Sequence, residues 1–369
     1  MTFTVSTKPL QDVVNLAIIN ANVSKFYRKS CIVQITADKT TLKLNVEASD
    51  ICSSVVLHGD CDEDTTNTIF VDSLLFKQLV STFDTNVVSI KFEDNGITLI
   101  SGSSKFSLPK LADGEDTTFN EPTNPVTMPA DASYDIHKDV WKYIKEHQMY
   151  ALASTLINPV YRRVFVGNDA GDVIVGDYDN SLFTHTEGGD IKDACLLSDT
   201  IVNLFNNIPE GSKLYKTDKN YIIYSATDAY TFIAEFIPRY ESDEDVGSYN
   251  SEAILNLMKV PDTSITLDVA EISKYLSQVS IIAKGPDVTT EFSVADGIVT
   301  LKTKNSSKKF NIGVSNVIFT TSFKTSYLQS VLNNYSDEVH IAPTYLDGEI
   351  SGIVVWNDKL TTVLGSVEE

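Results

Sequence analysis

The residues able to do chemistry are present in ordinary numbers but are not arranged for catalysis. His58, His137, His147, His185 and His340 are scattered, and none has a partner at metal-ligand spacing. No GxxxxGK[ST] loop is present to cradle a nucleoside triphosphate, and no GxSxG, HExxH or CxxC…CxxC pattern supplies a nucleophile or a metal site. Cys31, Cys52, Cys61 and Cys195 form no CxxC pair; Cys52 and Cys61 face one another only if a hairpin brings them together, and free thiols fit the dispersed pattern better. The acidic runs Asp60-Cys61-Asp62-Glu63-Asp64 and Asp177-Tyr178-Asp179-Asn180 attract a divalent ion loosely, without the spacing of a calcium loop. The expectation is therefore a protein that is not an enzyme and holds no cofactor or metal. What remains is binding chemistry: lysines clustered on helical stretches and apolar residues at joints.

The elements that position those residues recur. A strand running directly into a helix appears as FTVSTKPLQDVV at 3–14, SYDIHKDVWKYI at 133–144 and SITLDVAEISKYL at 264–276, with Val5, Ile136 and Leu267 at equivalent points. A second helix shows apolar residues at i, i+3, i+4 and i+7: Phe76/Leu79/Val80/Phe83, Ile201/Leu204/Phe205/Ile208 and Leu328/Val331/Leu332/Tyr335. The plan returns at intervals of about 131 and then about 126 residues, which is the size of a domain rather than of a solenoid repeat. In the first unit Pro9 opens a helix with a Leu10/Val13/Val14/Ala17 stripe, Asp72 or Ser73 caps the next, and Asn95-Gly96 signals a tight hairpin. β-rich segments fill the rest, so the fold class is α+β: three domains at 1–121, 122–250 and 251–369, each two helices packed on antiparallel sheet. Pro- and acid-rich stretches at 112–130 and 239–264 read as linkers.

Composition narrows the partners. At 369 residues and 42% apolar content the chain can bury three ordinary cores, and no apolar run reaches the roughly 20 residues needed to span a bilayer. The opening MTFTVSTKPL has no secretion signal, so a cytoplasmic protein without membrane contact is expected. A net charge of −21 repels nucleic acid overall, and any contact with it has to be confined to a local basic lining.

Three repeats of this make resemble the bacterial beta sliding clamp, the processivity ring of replicative DNA polymerases. The similarity spans the chain and is most specific at SGSSKFSLPKL, 101–111; MTFTVSTKPL, NPVYRRVFV at 158–166 and VGDYDNSLF at 175–183 follow in the right order. Sequence drift elsewhere fits a divergent, phage-type clamp. The resemblance implies a head-to-tail homodimer whose helices line a channel around duplex DNA, with a replicative polymerase and a clamp loader as partners in the bacterial cytoplasm or nucleoid. Lys8, Lys25, Arg28, Lys29, Lys77, Lys138, Lys142, Lys145, Lys274, Lys284 and Lys324 would face the DNA. Phe106 and Leu108 would meet Ile281 and Ile282 of a second copy. A partner-peptide pocket would fall on Tyr161, Asp177, Asp179, Leu182, Val246, Thr362 and Leu364, although Asp177 and Asp179 stand where the family favours a small hydroxyl and a glycine. Two rival readings are a repeated β-rich scaffold protein, which needs no basic residues on its helices, and a hydrolase, which needs paired carboxylates that the sequence does not offer.

Overall fold

The computed structural model describes residues 1–18, 31–47, 51–111, 118–128, 133–152, 164–167, 172–177, 182–186, 188–191, 195–197, 199–218, 220–237, 239–240, 251–282 and 288–367. The first repeat runs β1 (Thr2–Ser6), α1 (Thr7–Ala17), β2 (Ile32–Ala37), β3 (Thr41–Glu47), β4 (Ile51–His58), a two-residue β5 (Asp60–Cys61), β6 (Asn67–Asp72), α2 (Ser73–Ser81), β7 (Val87–Glu93), β8 (Gly96–Ser101) and β9 (Ser104–Pro109). The second runs β10 (Ser133–Asp135), α3 (Lys138–Leu152), β11 (Val164–Gly167), β12 (Asp172–Asp177), β13 (Leu182–Thr186), β14 (Cys195–Leu197), α4 (Asp199–Asn207), β15 (Lys213–Lys216), β16 (Tyr221–Ala226), β17 (Tyr230–Phe236) and a short β18 (Arg239–Tyr240). After α5 (Ser251–Leu257), the third runs β19 (Ile265–Asp268), α6 (Val269–Ile282), β20 (Thr289–Ala295), β21 (Ile298–Thr303), β22 (Ser306–Asn311), β23 (Phe319–Lys324), α7 (Thr325–Leu332), β24 (Glu338–Leu346), β25 (Glu349–Trp356) and β26 (Thr361–Gly365). Strand, helix, four strands, helix and three strands recur three times, with β5, β18 and α5 as additions. The class is α+β, as the periodicity predicts.

The helices form where local chemistry asks for them. Asp72 Oδ1 accepts the Leu75 N–H at 2.8 Å and satisfies one of the unpaired donors at the start of α2. On α4 the predicted face, Ile201, Leu204, Phe205 and Ile208, is buried; at about 1.5–3 kcal/mol for each large apolar side chain, that face outweighs the weak helix propensity of so short a segment. Two Asp-Gly turns, Asp296-Gly297 and Asp347-Gly348, have positive φ at both residues, the type I′ geometry that matches the twist of an antiparallel hairpin. At Asn95-Gly96 the turn sits one residue earlier than the dipeptide suggests: Gly96 is the first residue of β8, paired with Glu93.

The chain divides into two compact units, Met1–Lys142 with Leu197–Arg239, and Tyr143–Leu196 with Tyr240–Glu369. The reason lies in the sheets, because repeats share them. In the first unit a five-stranded sheet has the order β5-β1-β7-β8-β9, and an eight-stranded sheet, β10-β15-β16-β17-β4-β3-β2-β6, mixes repeats one and two through the β17·β4 pairing. The second unit has a four-stranded sheet, β22-β21-β20-β23, and a nine-stranded sheet, β18-β14-β11-β12-β13-β26-β25-β24-β19, that joins repeats two and three through β13·β26.

The two stretches expected to be linkers are more structured than their composition suggests. Within the first, the buried Glu47 carboxylate accepts both the backbone N–H and the side-chain amide of Asn120, and Glu235 accepts the Thr123 N–H, so residues 118–124 are tied down by charge-assisted bonds. The second contains β18 and α5. Ile254, Leu257 and Met258 have helical spacing, a signal that the surrounding Pro and acidic residues obscure.

Candidate functional site

The helices present fewer available cations than their lysine count suggests. Lys8 is exposed on α1 and bonds Asp12 one turn along at 2.7 Å, an exposed i,i+4 pair of the kind worth a few tenths of a kcal/mol. Lys138 is committed elsewhere: its ammonium donates to the carbonyls of Phe205 and Ile208 at 2.8 and 2.7 Å, satisfying the orphan acceptors at the end of α4. Beside it Trp141 stacks on Phe205 with ring centroids 3.7 Å apart. Burial holds the ammonium groups of both Lys138 and Lys77 below the usual lysine range. Lys138 is thus a helix-capping group rather than a free DNA-facing charge. Lys142, Lys145 and Lys274 are exposed, and Lys324 lies 5.3 Å from the Tyr327 ring. Lys25, Arg28, Lys29 and Lys284 lie outside the described residues.

At the edge of the five-stranded sheet, β9 separates its two predicted contact residues. Phe106 is 36% exposed and leans on Phe83, whereas the Leu108 side chain is 4% exposed and packs into the core of its own sheet. Ile281 and Ile282, at the end of α6, are 75% and 65% exposed. Two adjacent isoleucines left in water form a small unsatisfied apolar surface. On β22, the edge of the four-stranded sheet, Lys308 lies 4.7 Å over the Phe310 ring.

The residues expected to line the peptide pocket are mostly turned inward where they are described. In the β13·β26 register Leu182 stands opposite Leu364 and Thr184 opposite Thr362, and strand alternation turns all four toward the main core of the second unit. Tyr335 donates to the Val355 carbonyl at 2.8 Å and reaches the Thr362 hydroxyl at 3.1 Å; Tyr143, whose hydroxyl touches Thr184 and donates to the His185 carbonyl, is pushed up to about 12 by burial. Leu182, Thr362 and Leu364 are therefore interior and do not line an open pocket. Asp177 ends β12 opposite Leu182, while Tyr161, Asp179 and Val246 lie outside the described residues. The other face of the same strands carries Phe183 and Val363. With Ile174, Ala342 and Val354 these form a separate apolar cluster, closed by Ile254 of α5 and by Met258 just after it.

The remaining reactive groups have structural partners. Asp62 accepts the Thr2 N–H at 2.6 Å, Glu63 reaches the amino terminus and Asp64 reaches Lys39, so the acidic run ties down the chain start. Cys31, Cys52 and Cys61 are in no disulfide among the described residues. Cys52 is pushed up to about 12 by burial, with Glu235 and Glu47 adding to the shift. Among the described residues no three His, Cys, Asp or Glu side chains are grouped to hold a metal ion, and no helix is long and apolar enough to cross a membrane.

No protein-family model and no curated protein sequence matches the chain. Solved structures do. The Caulobacter crescentus pol III beta chain is similar at TM-score 0.73 and 15% identity, a putative DNA polymerase III beta subunit from Eubacterium rectale at 0.74 and 13%, and a Helicobacter pylori beta clamp bound to a DNA ligase peptide at 0.69 and 14%; each match covers 100% of both chains. Across its whole length, this chain has the fold of the bacterial DNA polymerase III beta sliding clamps.

Proposed function

We propose that the protein is a DNA sliding clamp, a head-to-tail homodimer that encircles duplex DNA without reading its sequence and tethers a replicative polymerase. In this reading it has three clamp domains at 1–121, 122–250 and 251–369, is not an enzyme, and works with a clamp loader in the bacterial cytoplasm or nucleoid. One observation carries the proposal. In the first unit the last strand of repeat two, β17, pairs with β4, the third of the four main strands between the helices of repeat one. In the second unit the last strand of repeat three, β26, pairs with β13, the third such strand of repeat two. The same rule asks β9, the last strand of repeat one, to pair with β22, the third of repeat three. Both are sheet edges, and a second copy would unite the five- and four-stranded sheets into one of nine strands, equal to the larger sheet within the chain.

The rule also supplies a register. Leu108 occupies the place of Leu364, and Ser306 that of Leu182, so Leu182 opposite Leu364 becomes Ser306 opposite Leu108, with Ser307 opposite Ser107 and Lys308 opposite Phe106. Ile281 and Ile282 supply apolar surface at the end of α6 for the same joint. A head-to-tail contact made twice closes a ring and leaves no edge free. Lys8, Lys142, Lys145 and Lys274 then give the helices a sparse positive lining inside an acidic body, which holds DNA by enclosure rather than by tight phosphate contacts.

The test uses the joint itself. Full-length protein carrying Ser107→Cys and Ser307→Cys is mixed with nicked circular duplex, oxidised, and washed at high salt. The expected result is protein retained on the circle and released when the circle is cut at one site. Retention that is indifferent to cutting, or absence of the cross-linked dimer, would overturn the proposal.

A further inference from the structure

The two sheet edges that the pairing rule brings together carry charge of one sign. In a chain of net charge −21, residues 101–111 and 301–319 contain Lys105, Lys110, Lys302, Lys304, Lys308 and Lys309 and no Asp or Glu. Alternation sorts them. On β9 the Leu108 side chain packs inward, which turns Lys105 and Ser107 to the outer face; on β22 the buried Phe310 does the same for Ser307 and Lys309. Lys105 and Lys309 are both exposed, and neither has an ion-pair or hydrogen-bond partner among the described residues. Acids on that face are already engaged: Glu93 bonds Lys91 at 2.9 Å, and Glu291 lies 3.7 Å from Lys302. The seams within the chain are built differently. β13·β26 sets Leu182, Phe183 and Thr184 against Leu364, Val363 and Thr362, with no charge at all, and β17·β4 has one charged residue, Glu235, which faces Cys52 and is satisfied by Asn220 and Thr123.

We infer that the joint between copies is electrostatically self-opposed, with Lys105 of one copy directly facing Lys309 of the next, so that the ring closes weakly at low salt and tightens as salt rises. The inference rests on the clamp reading for its register: Ser307 opposite Ser107 and Lys308 opposite Phe106 put Lys309 opposite Lys105. Directly opposed residues of an antiparallel pair have Cβ atoms about 5 Å apart, well inside the Debye length of about 10 Å at about 0.1 M salt, and like charges so placed are destabilising. A closed ring makes the contact twice, so the repulsion enters the dimer equilibrium twice. Before closure the same lysines are useful, because an edge strand carrying ammonium groups resists pairing with the wrong edge. After closure they oppose the hydrogen-bonded ladder and the apolar contacts of Phe106, Ile281 and Ile282. An interface of complementary charge loosens as salt is added; this one does the reverse.

The experiment follows the monomer–dimer equilibrium of the full-length protein by sedimentation, comparing wild type, Lys105→Glu, Lys309→Glu and the variant with both changes. Between about 50 mM and about 500 mM sodium chloride, wild type should associate at least about threefold more tightly at the higher salt. Each single change places a carboxylate opposite the remaining lysine at both joints and should tighten the dimer at least about fivefold at the lower salt; the double change opposes two carboxylates and should return it to about the wild-type value. That reversal separates the local contact from the overall field, because each change makes an acidic chain more acidic, and overall repulsion alone would weaken the dimer step by step. Single variants that associate no more tightly than wild type, or a double variant that associates more tightly than either single, would overturn the inference, as would wild-type association that weakens with salt. Failure of the clamp reading shows separately: the Ser107→Cys/Ser307→Cys cross-link would not form and no variant would dimerise, which sinks both. A cross-link that forms beside single variants that do not tighten would sink this inference alone.

Discussion

At the scale of single residues, the main lesson comes from side chains whose neighbours change their meaning. Leu364 has the apolar character of a peptide anchor, yet it is 1% exposed and stands in the core opposite Leu182. Leu364→Ala should accordingly cost about 2–5 kcal/mol of folding stability through lost transfer energy and the cavity left behind, read as a lowered denaturation midpoint. A midpoint unchanged within error would mean that the side chain is not packed there. Cys52 behaves as a proton-retaining group. Its folded thiol is pushed up to about 12, so between the ordinary thiol range near 9 and that value the unfolded chain loses the proton first, and stability falls as pH rises through the window. Wild type should show this loss between pH 8.5 and 10.5 in urea titrations, and Cys52→Ala should show less of it. Alkylation at pH 8.5 should also spare Cys52 relative to Cys61 in the folded protein.

At the scale of elements, edges and helix ends decide what is available for contact. In the proposed dimer, the exposed Phe106 on the edge strand β9 and the exposed Ile281 and Ile282 at the end of α6 belong to the joint with a second chain. Ile282→Asp places a carboxylate in that joint at a cost of several kcal/mol if it is buried unpaired, while leaving each unit's own core untouched. Sedimentation at micromolar concentration should then show monomer for the variant and dimer for wild type, with similar melting of the two monomeric units. A variant that stays fully dimeric would place the joint elsewhere. Lys138 makes the complementary point: a lysine on the expected helix face is used to finish a neighbouring helix, so Lys138→Met should lower stability more than it changes any DNA contact.

At the scale of the whole molecule, the proposed clamp would hold DNA in a way set by a net charge of −21 and by the exposed lysines among the described helical residues. Affinity for a short linear duplex at physiological salt should be weak and without sequence preference. Lys142→Ala with Lys145→Ala should reduce it further at low salt while leaving retention on closed circles almost unchanged, because enclosure does not depend on phosphate contacts. Tight, loader-free binding to a 20-mer duplex would contradict this division between enclosure and affinity.

The sequence alone determined the three repeats, the α+β class, the buried faces of the second helices and, to within one residue, the cap of α2 at Asp72 or Ser73. Each depends on residues a few positions apart, where helical or strand periodicity and side-chain hydrogen bonding act locally. It did not determine which strands are neighbours, because pairings such as β17 with β4 and β26 with β13 join segments far apart in the chain. Nor did it settle which face a strand shows. Leu182-Phe183 and Val363-Leu364 are apolar on both sides, so the period of two that marks inside from outside is lost, and only the tertiary structure sends Leu182 and Leu364 to the core and Phe183 and Val363 beneath α5. The short helix in the acidic stretch escaped for a related reason: with seven residues its propensity is too weak to declare itself, and it exists through the sheet it covers.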